Sequence, residues 1–328
     1  MNSTTHNMIL KNNPFTSELY VKKWMSNFHN SGNARQFSFI DDIKFTKHSV
    51  LPLYFNIGMF KSCGMSYTLS EKTQSDFKHR TFLVYDVPEY FEVSTENAPT
   101  RLGIKKIPQY SGFLAKLDDF EDIDDYLKKQ FPAKKRRKVL YPKKQLEESF
   151  SISYEFYFGS ISRDSFDLLM NYLYDLIEAK FEKKQNTNSH TKEGIRKWYE
   201  DLIFDMINEN QASFIVAKNE DTPIAITLNY HSENILFSAV PGTDMAYSKY
   251  GIGSIMNMKA IEWALENGYS YFDLSKGSYG YKHRWSTMEY NFEYHVLYDR
   301  KSPISVLTTA YIVFYYRLKQ YLRKKLRG

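Results

Sequence analysis

Cysteine is nearly absent from this sequence. Its 328 residues include a single one, Cys63. One cysteine excludes an internal disulfide and a metal cluster held by several thiolates, and it suits a protein kept in a reducing compartment. The eight histidines show no spacing typical of metal ligands. We therefore expect no metal site.

Long apolar runs are also missing. No stretch approaches the roughly 20 apolar residues that a membrane-spanning helix needs. The polar start, MNSTTHNMILKNNPF, lacks the apolar core of a signal peptide. We expect a cytoplasmic protein. Charged residues make up 25% of the chain and aromatic residues 17%, so the composition is that of a folded chain, and its length suits two domains.

The positive charge, +6 in total, is concentrated in two clusters: KKRRKVLYPKK at Lys134–Lys144 and RLKQYLRKKLRG at Arg317–Gly328. Such clusters attract phosphates of nucleic acids, lipids or nucleotide cofactors. Because neither shows the pattern of a recognition helix, we expect no sequence-specific DNA partner.

The second cluster belongs to a predicted C-terminal helix. Large apolar residues recur along it at alternating steps of four and three, namely Leu307, Tyr311, Phe314, Leu318 and Tyr321. This spacing places them on one face of a helix. Together with the basic residues, the face indicates a helix that lies peripherally on an anionic membrane, at the inner membrane face, or one that docks on its own domain.

The order of patterns predicts an α+β protein. A helix and strands occupy residues 1–133, and a basic connecting segment that Pro142 interrupts spans 134–150. In residues 151–300 a strand, two helices joined by a polar loop at 183–194, three strands, a further helix and two more strands follow. The C-terminal helix takes 301–328.

The stretch KYGIGS, Lys249–Ser254, opens the helix that follows the three strands. Glycines in the first turn, Gly251 and Gly253, let an anionic group approach unpaired N–H groups at the positive end of the helix dipole. The alternative is that small residues only allow the helix to pack closely on the sheet. Both readings are open for two glycines alone.

The segment AYSKYGIGSIMNMKAIEWALENGYSYFDLSKGSYGYKHRW resembles the GNAT N-acyltransferases. It is similar in particular to the CelD/BioF-like family, which is related to Fem-type peptidyltransferases. The run KKRRKVLYPKKQLEE resembles the domain entry of that family, and the resemblance covers residues 110–300. It implies two GNAT-like halves, each a mixed, mostly antiparallel sheet flanked by helices, with a divergent half at residues 1–133.

The resemblance implies acyl-CoA, above all acetyl-CoA, as the donor, and residues that bind its phosphates: Ser248, Lys249, Gly251, Gly253 and Ser254. The usual motif is Gln/Arg-x-x-Gly-x-Gly/Ala, and here Ser248 stands at the Gln/Arg position. Since Fem-type members use other donors such as aminoacyl-tRNA, this departure keeps a tRNA-dependent transferase open.

Candidates for the chemistry lie on both sides of the glycine-opened helix. Lys282 follows Tyr281. In Fem-like relatives a lysine that follows an aromatic residue lies near the transferred acyl group, so the resemblance implies that Lys282 stabilises negative charge there. Tyr281 would act as an acid beside the sulfur and Asp244 as a base. Each of the three has a structural alternative: Lys282 would be a solvated surface residue, Tyr281 would pack in the core, and Asp244 would cap a helix. Substrate-binding candidates are Asp273, Lys276 and Tyr279; Asp273 has the alternative of anchoring the next loop.

The resemblance thus predicts an enzyme that transfers an acyl group to an amine of a small molecule or amino sugar, in cell-envelope or exopolysaccharide synthesis. A GNAT-like binding module without activity is the third hypothesis. The sequence also predicts that Lys282→Ala lowers turnover with little change in melting temperature.

Overall fold

A computed structural model describes residues 10–29, 34–70, 75–93, 98–182 and 193–327. The polar start of the chain, residues 1–9, and most of the predicted polar loop, residues 183–192, lie outside them. The helices are α1 Glu18–Phe28, α2 Ile123–Gln130, α3 Ala133–Ser149, α4 Arg163–Glu182, α5 Glu193–Asn208, α6 Ile252–Glu266, α7 Lys282–Trp285 and α8 Pro303–Arg327, with a 3-10 helix at Met245–Tyr250. The strands are β1 Arg35–Phe37, β2 Ile40–Lys47, β3 Leu53–Asn56, β4 Thr68–Leu69, β5 Thr81–Pro88, β6 Leu102–Lys116, β7 Ile152–Tyr157, β8 Ala212–Asn219, β9 Thr222–His231, β10 Ile235–Thr243, β11 Tyr271–Lys276 and β12 Met288–Asp299.

The chain divides into two compact units. Unit 1 comprises residues 1–112 and 290–328, and unit 2 comprises residues 113–289. The unit boundaries fall inside β6 and β12 rather than at residues 133, 150 and 300 of the sequence analysis. The basic segment after residue 133 is the helix α3 of unit 2, which runs through Pro142. The C-terminal helix α8 belongs to unit 1.

The predicted α+β class is confirmed. In unit 1 the strands follow the order β1-β2-β3-β5-β12, with β4 beside β2. The pair β3/β5 is parallel and the others are antiparallel. In unit 2 the order is β11-β10-β9-β8-β7, where only β10/β11 is parallel among these pairs. Each unit therefore holds a mixed, mostly antiparallel sheet with helices on it.

An ion pair ties the end of β12 to the rest of unit 1. Both oxygens of the buried Asp299 carboxylate accept hydrogen bonds from Arg101, at 2.6 Å each. The backbone N–H groups of His79 and Lys301 donate to the same carboxylate at 2.9 and 3.0 Å. The Arg101 hydrogen bond above all holds the pKa of Asp299 well below its usual range.

Unit 2 positions the candidate site through one crossover. The chain leaves β10, forms the 3-10 helix and α6, and returns as β11 parallel to β10. A parallel return of this kind needs a crossing element, and α6 supplies it. Its buried side chains, including Ile255, Met256 and Ile261, pack with Phe272 of β11 and Leu146 of α3 in one core. The N-terminus of α6 consequently lies at the end of β10.

Candidate active site

The N-terminus of α6 is shaped by Gly251. This residue ends the 3-10 helix and begins α6 with φ 66° and ψ 36°, the left-handed conformation that glycine adopts without a steric penalty. Its N–H donates to the carbonyl of Ser248 at 3.0 Å, and its own carbonyl accepts from Ser254 N at 2.8 Å. In this first turn the earliest N–H groups, those of Ile252 and Gly253, have no intrahelical acceptor.

Gly253 has open space beside it. A Cβ built on Gly253, or on Gly251, meets no described atom within 4 Å. Close packing on the sheet, the alternative explanation of the two glycines, therefore does not account for Gly253. Glycine costs about 0.5–1 kcal/mol relative to alanine inside a helix, so its presence here needs another reason.

A cavity of about 280 Å³ opens at this turn. Its lining brings together six of the residues singled out from the sequence: Asp244, Ser248, Gly251, Gly253, Ser254 and Tyr281. These residues come from the end of β10, the 3-10 helix, α6 and the start of α7. This volume is as small as that of the smallest ligand pockets. It suits one part of a donor molecule, such as a pyrophosphate group, rather than the whole donor molecule.

Six further residues line the cavity, of which the four polar ones escaped the sequence analysis: Lys180, Ser238, Thr243 and Asn257. Lys180 lies in the last turn of α4. Lysine is common there because it interacts favourably with the negative end of the helix dipole, so its position in the sequence does not indicate a binding residue. Ser238 precedes a register shift between β9 and β10, and such bulges re-aim side chains. Lys180 and Asp244 are the charged residues of the lining within the described ranges.

Asp244 has a structural role as well as a place in the cavity wall. Its Oδ1 accepts a hydrogen bond from Ala246 N at 2.8 Å and so caps the 3-10 helix. Lys249 is exposed, with its Nζ 4.9 Å from the centroid of the Tyr250 ring. It does not line the cavity.

Tyr281 contributes to the cavity wall. Burial, with a smaller contribution from Tyr279, raises the pKa of Tyr281 to about 12. The side chain is therefore protonated at neutral pH and can donate a hydrogen bond or a proton. Tyr279 stacks on it at 6.2 Å between ring centroids but is itself largely exposed and lies outside the lining.

Lys282 is buried and does not line the cavity. Its Nζ donates to the carbonyls of Ser275 at 3.2 Å and Lys276 at 2.6 Å. The ammonium thus holds the end of β11 against the start of α7, across the loop that leads to Tyr281. Whether it also acts on the transferred group stays a prediction.

Asp273 is fully buried in β11. Its Oδ1 accepts from Ser275 N at 2.6 Å, which supports the left-handed backbone of Ser275, with φ 62°. This contact matches the anchoring alternative given for Asp273. Lys276 ends the strand, and its carbonyl receives Lys282. Neither Asp273 nor Lys276 lines the cavity.

The burial of Lys282 changes the expected result of its replacement. Lys282→Ala removes two charge-assisted hydrogen bonds, each of which contributes about 1.5–3 kcal/mol, so we expect a lower melting temperature as well as about tenfold to a thousandfold lower turnover. Lys282→Met, which keeps the stem but not the charge, separates packing from charge. Measurements of turnover and thermal unfolding on both variants check this; equal turnover in both variants and the wild type would contradict it.

Comparison with known proteins agrees with this geometry. Residues 133–283 match the family model of an acetyltransferase (GNAT) domain. The match covers most of unit 2 and extends to no residue outside it. The matched range contains the whole cavity lining, from Lys180 to Tyr281. A search of curated proteins finds no significant match.

Solved structures resemble most of the chain. FemX superposes with a TM-score of 0.57 at 11% identity and covers 90% of this chain and 96% of its own. L-PGS from Bacillus licheniformis has a TM-score of 0.54 at 14% identity, covering 95% and 99%. The C-terminal domain of a putative lysylphosphatidylglycerol synthetase from Agrobacterium fabrum reaches 0.53 at 9%, covering 88% and 94%. At these identities the likeness shows the fold, and it extends beyond the GNAT-type domain to most of the chain.

Proposed function

We propose that the protein is an N-acyltransferase whose donor, an acyl-CoA, binds with its phosphates at the N-terminal turn of α6. The supporting observation is the cavity at Gly251–Ser254, within the GNAT-type domain, beside a glycine that packing does not require. A helix N-terminus with exposed N–H groups favours a phosphate. Lys180 adds a positive charge to the same lining.

The lining suits acyl transfer from a thioester. The amine nitrogen attacks the thioester carbonyl, the carbon–sulfur bond breaks, and the leaving thiolate takes a proton. Tyr281, whose pKa burial raises, is protonated at neutral pH and would give that proton. Asp244, the acidic member of the lining, would accept the proton that the amine loses. Lys282 would position Tyr281 through its hold on the loop.

The acceptor in this proposal is the amine of a small molecule. The narrower resemblance, to the CelD/BioF-like family, supports an amino sugar or amino acid used in cell-envelope or exopolysaccharide synthesis. The one carboxylate of the lining, Asp244, suits an acceptor amine that arrives protonated.

A second candidate is a Fem-like transferase that takes its acyl group from aminoacyl-tRNA. Likeness to FemX and to lysylphosphatidylglycerol synthetases supports it, as does the missing Gln/Arg at Ser248. The basic run Lys134–Lys138 lies at the N-terminal end of α3, which packs beside α6 and the 3-10 helix. The sequence carries no acid four residues before or after any member of this run, so its charge is available to a phosphate backbone.

Direct binding of the two donors distinguishes these candidates. We expect acetyl-CoA to bind the wild type in calorimetry and to lose its acetyl group when an acceptor amine is present. For aminoacyl-tRNA, filter binding should weaken about tenfold or more when Lys134, Lys135, Arg137 and Lys138 are all changed to glutamine. The matched control changes Lys143 and Lys144, which pair with Glu147 and Glu148 on the same helix.

Each result selects one hypothesis. Acetyl-CoA binding with transfer supports the acyl-CoA enzyme, and acetyl-CoA binding without transfer to any amine supports a binding module. If the wild type binds only aminoacyl-tRNA, the acyl-CoA proposal is wrong. Mass spectrometry of ligands that co-purify with the protein then identifies the acyl group.

A further inference from the structure

The C-terminal helix α8 is attached to unit 1 by one face. Ser305, Ile312 and Tyr316 on this face are buried. The Tyr316 and Tyr85 hydroxyls are 2.6 Å apart and share a hydrogen bond, and the Tyr316 ring lies 4.0 Å from that of Tyr294, between centroids. The helix is therefore fixed in its rotation about its own axis.

The opposite face of α8 carries the apolar stripe noted in the sequence. Its five large side chains, spaced by alternating steps of four and three, are 42% to 70% exposed: Leu307, Tyr311, Phe314, Leu318 and Tyr321. They extend over about 20 Å of the helix. The helix docks on its own unit, which is one of the two alternatives from the sequence, but it does so through the other face, and the stripe stays exposed. A continuous exposed apolar face of this size marks an interaction surface.

The charge of α8 indicates what covers this face. The 25 residues of α8 include no aspartate or glutamate, and every Lys and Arg in it lies from Arg317 onward. A second copy of the chain packed through the same face would bring no acid from α8 to these cations. An anionic lipid surface supplies negative charge beside an apolar interior, which is the combination that this helix complements.

Two further observations fit a lipid surface. Beside the apolar face lies a groove of about 600 Å³ whose largely apolar lining also includes Lys105 and Arg317. In addition, the Nζ of Lys319 lies within 6.0 Å of the Tyr315 and Tyr316 ring centroids, so this lysine covers aromatic surface as interfacial lysines do. Within the described ranges, no helix has both the length and the hydropathy required to cross a membrane.

We propose that α8 lies flat on bilayers that contain anionic phospholipids, with the Leu307–Tyr321 face inserted into the interface. The membrane contact is a property of unit 1, separate from the cavity in unit 2, so it does not depend on the proposed transferase activity.

Co-sedimentation of the full chain with vesicles tests this proposal. We expect binding to phosphatidylcholine vesicles with about one third phosphatidylglycerol, and at least about tenfold weaker binding to phosphatidylcholine alone. Leu307→Ser combined with Phe314→Ser should weaken binding to anionic vesicles by about tenfold or more, with an unchanged melting temperature because both side chains are exposed. Arg317→Gln with Lys325→Gln should reduce only the preference for anionic vesicles.

Leu168→Ser is the matched control, since Leu168 is 57% exposed on α4 in unit 2. It should bind vesicles as the wild type does. The proposal is overturned if the wild type does not bind anionic vesicles, or if the double serine variant binds them as well as the wild type. It is also overturned if light scattering shows a wild-type dimer that the double variant converts to monomer, because a second copy then covers the face.

Discussion

Gly253→Val is expected to weaken donor binding by about tenfold to a hundredfold while the protein stays folded. A Cβ at this position meets no described atom within 4 Å, so the first side-chain atom is accommodated and we expect the fold to be kept. The branched side chain of valine instead occupies the cavity at the first turn of α6, where the donor's phosphates approach the N–H groups. Calorimetry with acetyl-CoA, together with thermal unfolding, measures both effects.

Two companion variants make this result specific. Gly253→Ala should weaken binding less than valine does, and it should leave stability unchanged or raised, since alanine is the better helix residue. Gly280→Val is the control: a Cβ there also meets no described atom, but Gly280 does not line the cavity. If Gly253→Val binds the donor as tightly as the wild type, the phosphates do not bind at this turn.

Asp299→Asn is expected to destabilise the protein by about 3 kcal/mol at pH 7. The variant leaves the Arg101 guanidinium without its bidentate carboxylate partner and places an amide among the donors from His79 and Lys301. All of these groups lie in unit 1. Urea unfolding of variant and wild type measures the loss. The control is Glu18→Gln, which removes the exposed partner of Lys44 and should cause no measurable change.

The pH dependence of this effect has a definite sign. The pKa of Asp299 is lower in the folded than in the unfolded protein, where it is about 4. The charged carboxylate therefore contributes its full stability above about pH 4 and loses it as the pH falls toward the lowered folded value. The difference between wild type and Asp299→Asn should narrow below pH 4. A difference that stays constant from pH 7 to pH 3 would show that the ion pair is not its cause.

Local patterns predicted most helices and strands of both units. The capped start of α1 at Ser17, the acid-first helix α2 and the glycine stop after α6 follow from side chains within one turn of each end. The strand β2 lacks a regular alternation of buried and exposed residues, since Asp41 and Asp42 are both exposed and Asp42 takes a left-handed conformation, with φ 66°. Pro142 was expected to interrupt a helix, yet α3 continues through it.

In the candidate site, too, features that depend on neighbouring residues could be predicted, and features that depend on contacts between distant segments could not. The helix start at Gly251 was predictable because a helix start and a glycine turn depend on neighbouring residues; phosphate binding there stays a prediction. That Lys180 lines the same cavity depends on how α4 packs on the sheet, which no local pattern encodes. Likewise, the sequence placed Lys282 beside Tyr281 but not the direction of its long side chain.

The α+β class, the resemblance to GNAT-type domains and the amphipathic period of α8 follow from the sequence alone, because they depend on side-chain type and spacing over a few turns. Which side of α8 is buried follows only from the packing of the helix on unit 1. The largest apolar side chains of the helix lie outward, since small Ser305 and Thr309 allow the other side to approach the sheet closely while Ile312 and Tyr316 fill the contact. The tertiary structure also decided that Lys282 binds two carbonyls and that Lys180 faces the α6 turn, because both depend on contacts between segments distant in the chain.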